Sequence, residues 1–172
     1  MKKTILVING MGGVGKDTLC DMAAKRYRVL NVSSITPIKE LAAVCGWQGE
    51  KTDKARRFLA DLKALTVIYN DYPTQWIFKR YKEFLNGEDE LMFVHIREGL
   101  EIAKFVRATE GAAKTLLIRG GRRMADKKRA GYGNQADDDV ENFTYDYYFT
   151  NDLPLEETEE AFLSFLSEII EK

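Results

Sequence analysis

Short apolar runs alternate along the chain with longer stretches in which apolar residues recur every three or four positions. Thr4-Ile5-Leu6-Val7-Ile8 reads as a buried strand, and Leu19, Met22, Ala23 and Arg26 behind it are spaced for one face of a helix. Tyr27 to Val32 predicts a second strand, ended by Ser33 and Ser34. Thr36-Pro37 is a cap with proline at the first helical position, and that helix runs through Leu41, Ala42, Val44 and Cys45 to a stop at Gly46. From Thr52 the pattern is helical, with Phe58, Leu62, Leu65 and Tyr69 on one face. Asp71-Tyr72-Pro73 breaks it. A further helix follows, with Ile77, Tyr81 and Phe84 inward, and Asn86-Gly87 ends it. These two helices have no strand between them and form an insertion.

Leu91 to Ile96 predicts a third strand, and Leu100, Ile102, Ala103, Phe105 and Val106 the helix after it. Thr115 to Ile118 reads as a fourth strand. The polar stretch Arg122 to Asn142 separates it from a fifth strand at Tyr145 to Phe149. Asn151-Asp152 turns the chain and Pro154 opens a last helix that buries Phe162, Phe165, Leu166 and Ile169. Strands alternating with helices predict an α/β fold, a parallel sheet with right-handed crossovers. In such a sheet ligands sit beyond the carboxyl ends of the strands. That rule gathers the loops after Ile8, Val32, Ile96 and Ile118 around one cleft.

The 172 residues suit a single domain, and 45% hydrophobic with 31% charged residues is ordinary for a globular protein. A net charge of −1 gives no global electrostatic case for nucleic acid or an anionic membrane, so anion binding must come from local clustering. No apolar run approaches the roughly 18 residues that span a bilayer. Met1-Lys2-Lys3 leads straight into the first strand, which reads as no signal peptide and a cytoplasmic location. Cys20 and Cys45 lie in apolar helical contexts and are expected to be buried free thiols. One histidine and no CxxC argue against a zinc site.

Local chemistry changes the picture most between Asn9 and Thr18. Gly10-Met11-Gly12-Gly13-Val14-Gly15-Lys16 has the G-x4-G-K spacing of a phosphate-binding loop, in the strand–turn–helix context the loop requires. Its glycines let backbone N–H groups turn toward an anion, the helix that follows adds its positive dipole end, and Lys16 adds a point charge. The usual Ser/Thr after the lysine is Asp17, with Thr18 next. Asp17 can ligate Mg²⁺ directly or through water; beside a triphosphate its charge is costly without a cation between them. The alternative is a glycine-rich turn with no ligand.

A second cluster runs from Arg119 to Arg129, six basic residues in eleven positions flanked by glycines. It reads as a lid over nucleotide phosphates, with Arg122, Arg123 and Arg129 positioned to stabilise the transferring group, or as a solvated loop. Arg56 and Arg57 are either surface residues or a phosphate clamp, and Lys39 has the same two readings. His95 is a packed histidine near the cleft or a base. Arg97 and Glu101 are a mutual ion pair or a substrate contact.

Several segments together resemble the P-loop nucleoside monophosphate kinases, and within them the phage-type deoxynucleoside monophosphate kinases and their bacterial relatives. The resemblance rests on Gly15-Lys16-Asp17-Thr18, Thr36-Pro37-Ile38-Lys39, Arg57 with Asp71-Tyr72-Pro73-Thr74-Gln75-Trp76, Arg97 with Glu101, and Phe149-Thr150-Asn151-Asp152. Phosphomevalonate kinases of the animal type and dephospho-CoA kinases share parts of it. It implies a three-layer P-loop NTPase fold with a five-stranded parallel sheet, an inserted acceptor-binding region at about 34–88 and a lid at about 120–142. It implies ATP and Mg²⁺ as cofactors, with Lys16 and the loop amides on the phosphates and Asp17 and Thr18 at the metal. Lys39, Arg57, Arg97 and Glu101 would hold a small-molecule phosphate acceptor. No nucleic acid or membrane partner is implied, and a homodimer is left open. The family's aspartate at the end of strand three is His95 here. That departure motivates a competing reading, a nucleotide-binding protein with little turnover.

Overall fold

The computed structural model describes residues 2–120 and 139–171. Its centre is a five-stranded parallel sheet in the order β2-β3-β1-β4-β5, with β1 Thr4–Asn9, β2 Val29–Ser33, β3 Leu91–His95, β4 Ala113–Gly120 and β5 Tyr147–Asn151. The helices are α1 Lys16–Ala24, α2 Thr36–Val44, α3 Asp53–Asn70, α4 Tyr72–Asn86, α5 Gly99–Ala108 and α6 Leu155–Glu171, with a short 3-10 turn at Val140–Asn142 before β5.

Side chains alternate across the strands with period two, so the sheet has two apolar faces. Ile5, Val7, Met92, Val94 and Leu117 face α4 and α5, where Ile77, Phe84, Ile102 and Phe105 close that layer. Leu6, Ile8, Phe93, Leu116 and Ile118 face α1 and α6, where Leu19, Met22, Phe162 and Leu166 close the other. The result is three layers. Parallel register sets Ile8 level with His95, and His95 level with Ser33, so the loops after β1, β2 and β3 start side by side.

Several elements differ from the sequence expectation, each for a physical reason. The fifth strand starts two residues late, because the segment before it bonds elsewhere. The Asp146 carboxylate accepts from Thr115 N at 2.8 Å and Oγ1 at 2.9 Å, and Tyr145 N donates to the Tyr148 hydroxyl at 3.1 Å. The predicted inner face of α3 is only half right. Phe58 and Leu62 are half-buried, but Leu65 and Tyr69 are 65% and 86% exposed. This helix packs mainly on α2 and α4, so little of its circumference is covered. Leu100 likewise points out of α5. Both cysteines are free, yet Cys20 alone is buried; Cys45 sits exposed at the end of α2. Burial and the nearby Asp17 carboxylate push the Cys20 thiol up to about 12, which leaves it protonated and inert. No helix among the described residues is long and apolar enough to cross a membrane.

Candidate functional site

The loop after β1 is held open from three sides. Gly10 has φ 152°, and a Cβ there would lie 2.5 Å from the Ile118 carbonyl oxygen in β4. Gly15 has φ 95°, and a Cβ there would lie 2.7 Å from Asn151 Nδ2. A side chain at either position would push the loop off its neighbours. Asn151, at the end of β5, donates from Nδ2 to the Val14 carbonyl at 2.8 Å. Val14 itself is buried and pins the loop to the core. Helix α1 begins at Lys16. The Lys16 ammonium donates back to the carbonyls of Gly10 at 2.7 Å and Met11 at 3.0 Å, within the loop's own concavity. Asp17 and Thr18 are exposed on the first turn of α1.

Beside this loop lies a cavity of about 490 Å³. Lys16 and Gly10 line it on one side, Ser33, Ser34 and Lys39 on another, Arg56 and Lys63 on a third, and His95, Arg97 and Glu98 on the last. Five lining side chains among the described residues are basic and Glu98 is acidic, so the cavity is positive. Ile8, Ile35, Leu59 and Ile96 make its apolar part. Ser34 N–H donates to the His95 carbonyl at 3.0 Å, which fixes the β2 loop against the end of β3.

The structure brings Lys16, Lys39 and Arg97 to this one cavity. Arg57 does not line it. The Arg57 side chain is 85% exposed and 3.8 Å from Asp61; Arg56, one residue earlier, is among the lining residues, 68% exposed and 3.8 Å from Asp53. Glu101 stands behind the lining and pairs with Lys63 at 3.2 Å. The Arg122, Arg123 and Arg129 positions lie outside the described residues.

Lys63 was not singled out from sequence. Its ammonium sits 2.7 Å from Glu98 and 3.2 Å from Glu101, with both Lys63 and Glu101 side chains largely buried. Burial raises the Glu101 carboxyl above its usual value, and the neighbouring Glu98 charge adds to it against the pull of Lys63. Burial works the same way on Glu98, but the Lys63 hydrogen bond and charge overcome it and hold that carboxyl low. A signal for Lys63 existed: it lies seven residues after Arg56, two turns along the same helix face.

His95 is a packed, hydrogen-bonded histidine that also lines the cavity. Its Nε2 is 2.8 Å from Asn31 Oδ1 and 3.7 Å from Cys20 Sγ. Burial lowers its pKa below 6.5; the Asp17 charge opposes that shift and Lys16 reinforces it. The imidazole is therefore neutral at pH 7. The unfolded chain takes up this proton near pH 6.5 and the folded chain only at lower pH. The stability it contributes is present above 6.5 and is lost as pH falls through the folded value. The single histidine gives one ring Hε1 resonance, and its titration midpoint is expected below 6.5; a midpoint at or above 6.5 would contradict this account of its surroundings.

Among described residues there is no cluster of three or more His, Cys, Asp or Glu side chains arranged for a metal. Asp17 and Thr18 offer a carboxylate and a hydroxyl, hard oxygen donors of the kind Mg²⁺ takes beside phosphate oxygens and water.

The fold is that of solved structures across nearly the whole chain. A tunicamycin resistance protein from Deinococcus radiodurans aligns with a TM-score of 0.58 at 7% identity over 96% of each chain. A shikimate kinase from Bacteroides thetaiotaomicron aligns at 0.56 and 15% identity, covering 98% of this chain and 99% of its own. A gluconokinase from Sinorhizobium meliloti aligns at 0.52 and 17% identity, covering 98% and 94%. These likenesses give this chain the three-layer P-loop NTPase fold. No protein-family model and no curated protein matches the sequence.

Proposed function

We propose that this protein transfers the γ-phosphate of ATP to a small acceptor that already carries a phosphate, with a deoxynucleoside monophosphate as the leading candidate. The observation that carries this reading is one positive cavity shared by the Lys16 loop and by Lys39, Arg56 and Arg97. The kinase names of two structural neighbours support phosphotransfer as the reaction type.

Phosphoryl transfer needs positioning and charge neutralisation more than covalent chemistry. The Gly10 to Thr18 loop fits a triphosphate, since its concavity already holds the Lys16 ammonium against two carbonyls. Lys16 would exchange those carbonyls for β- and γ-phosphate oxygens. Asp17 and Thr18 would hold Mg²⁺, which supplies charge neutralisation between the phosphates when bound. Arginines at 122, 123 and 129 remain the candidates for the transferring group. Lys39, Arg56 and Arg97 would grip the acceptor phosphate through charge-assisted hydrogen bonds, Arg56 taking the part expected of Arg57.

The nature of the acceptor follows from acid–base chemistry. A hydroxyl acceptor needs a base within reach of its proton. The carboxylate among the described lining residues is Glu98, and Lys63 holds it at 2.7 Å and keeps its pKa low. That makes it a poor base, and the neutral His95 imidazole, which also lines the cavity, is engaged at Nε2 with Asn31 Oδ1 at 2.8 Å. A phosphate oxygen arrives ionised and needs none.

The test is ADP formation from ATP and Mg²⁺ against a panel of nucleoside monophosphates, other phosphorylated metabolites and unphosphorylated alcohols. Turnover above the ATP-only background is expected with the monophosphates. Turnover confined to another phosphorylated metabolite would move the acceptor to the dephospho-CoA or phosphomevalonate type. Background rates throughout would overturn the kinase reading and favour a nucleotide-binding protein with little turnover.

A further inference from the structure

Asn9, the last residue of β1, is 3% exposed, and three loops meet at its amide. Its Oδ1 accepts from the Gly10 N–H at 2.8 Å. Its Nδ2 donates to the Arg97 carbonyl at 2.9 Å and to the Tyr145 hydroxyl at 2.9 Å. Tyr145 is 4% exposed, and its hydroxyl donates in turn to the Val140 carbonyl at 2.9 Å. The Tyr145 ring packs edge-on against Phe143 at 5.0 Å and Tyr148 at 6.0 Å, so the hydroxyl has little freedom to move. Burial raises the phenol above its usual value, which keeps it a donor.

The chemistry fixes the amide's orientation. Turned over, it would face its NH₂ toward the Gly10 N–H and its oxygen toward the Arg97 carbonyl, losing both contacts. A buried position at a strand end needs only an apolar side chain for the core. An amide there costs desolvation unless each polar atom is met. Here each is met by a group from a different loop: the phosphate loop, the Arg97 loop after β3, and the turn before β5.

We propose that Asn9, braced by Tyr145, is the positioning residue that sets the distance between the phosphate loop and the Arg97 loop, and so aligns donor with acceptor. This rests on the kinase reading above, in which those two loops hold the two substrates. A near-attack geometry tolerates little error, and about 1 Å of misplacement can lower the rate roughly 100-fold.

The experiment compares Asn9→Ala, Tyr145→Phe and Arg97→Ala with the Asn9→Ala/Arg97→Ala double variant, all in the full chain. ATP affinity is read by calorimetry, transfer by kcat and acceptor KM, and folding by melting temperature. Asn9→Ala is expected to lower kcat/KM for the acceptor about 100-fold. Its ATP affinity should change by less than about threefold, since Lys16 and the loop amides remain. The double variant should fall no more than about twofold below the worse single variant, because Arg97 is already displaced. Losses that multiply in the double variant overturn the proposal, as does a loss of ATP affinity as large as the loss of kcat/KM. Tyr145→Phe keeps the ring and should show the same pattern at smaller size. If the wild-type protein turns over no phosphorylated acceptor, the kinase reading fails. The bracket is then decided by hydrogen exchange at the Gly10 amide. Exchange at least about threefold faster in Tyr145→Phe supports it, and unchanged exchange overturns it.

Discussion

Lys16→Ala is expected to lower kcat about 100- to 1,000-fold, the usual loss when one preorganised donor to a developing charge is removed. The melting temperature should stay near the wild-type value. The two effects separate because of where the side chain lies. Lys16 is half-buried at the mouth of the cavity, and its ammonium donates to the loop carbonyls of Gly10 at 2.7 Å and Met11 at 3.0 Å. Both carbonyls can turn to water when it is gone, so the core does not suffer. The transferring phosphoryl group has no such substitute. Lys16→Arg should not restore the rate, because a planar fork does not fit a concavity built around a compact ammonium. Wild-type turnover in Lys16→Ala, measured by ADP formation, would remove the phosphate loop from the chemistry.

Arg56→Ala is expected to raise the acceptor KM by about 10- to 100-fold, the range for one lost hydrogen bond to a charged group. Arg57→Ala should change it by less than about twofold, as exposed helix ion pairs contribute little. The contrast is sharp because the two residues are neighbours in sequence and alike in type. Both side chains are largely exposed with an acidic neighbour at 3.8 Å, but of the two it is Arg56 that lines the cavity. Direct ATP binding should be unchanged in both variants. A larger loss from Arg57→Ala would mean that the acceptor enters from the outer face of α3.

The phosphate loop and most of the sheet were legible in the sequence because their signals are local. A β-branched run, glycines at fixed spacing, a lysine and a helical stripe fall within about twenty-five residues and need no partner to be read. The fourth and fifth strands were legible in kind but not in extent. Asp146 spends its hydrogen bonds on Thr115, 31 positions away, and so delays the start of β5. Helix α3 misled for a different reason. Its apolar residues do share a face, yet it covers α2 and α4 from outside and leaves Ile68 and Tyr69 more than 80% exposed. Periodicity reports that a face exists and not how much of it meets a neighbour.

In the candidate site the residues named from the resemblance divide: Lys39 and Arg97 line the cavity, and Arg57 and Glu101 do not. Arg97 follows β3 and reaches the cavity; Arg57, on a helix outside the sheet, is one residue out of phase. The Asn9 bracket could not be read at all, and the Lys63 cluster only as far as the spacing of Lys63 from Arg56. They are made by side chains 35 to 136 positions apart that only the crossing of loops brings together. His95 illustrates the reverse. The sequence marked it as a departure, and its hydrogen bond to Asn31 across the β2–β3 pair accounts for how a histidine is accommodated there.

The most direct measurement of the central claim follows the label from γ-³²P-ATP in the presence of Mg²⁺ and a deoxynucleoside monophosphate. The label is expected to appear in the nucleoside diphosphate, and to stay in ATP when Lys16 is replaced by alanine. Label released only as inorganic phosphate, or unmoved in the wild-type protein with every phosphorylated acceptor, would contradict the account.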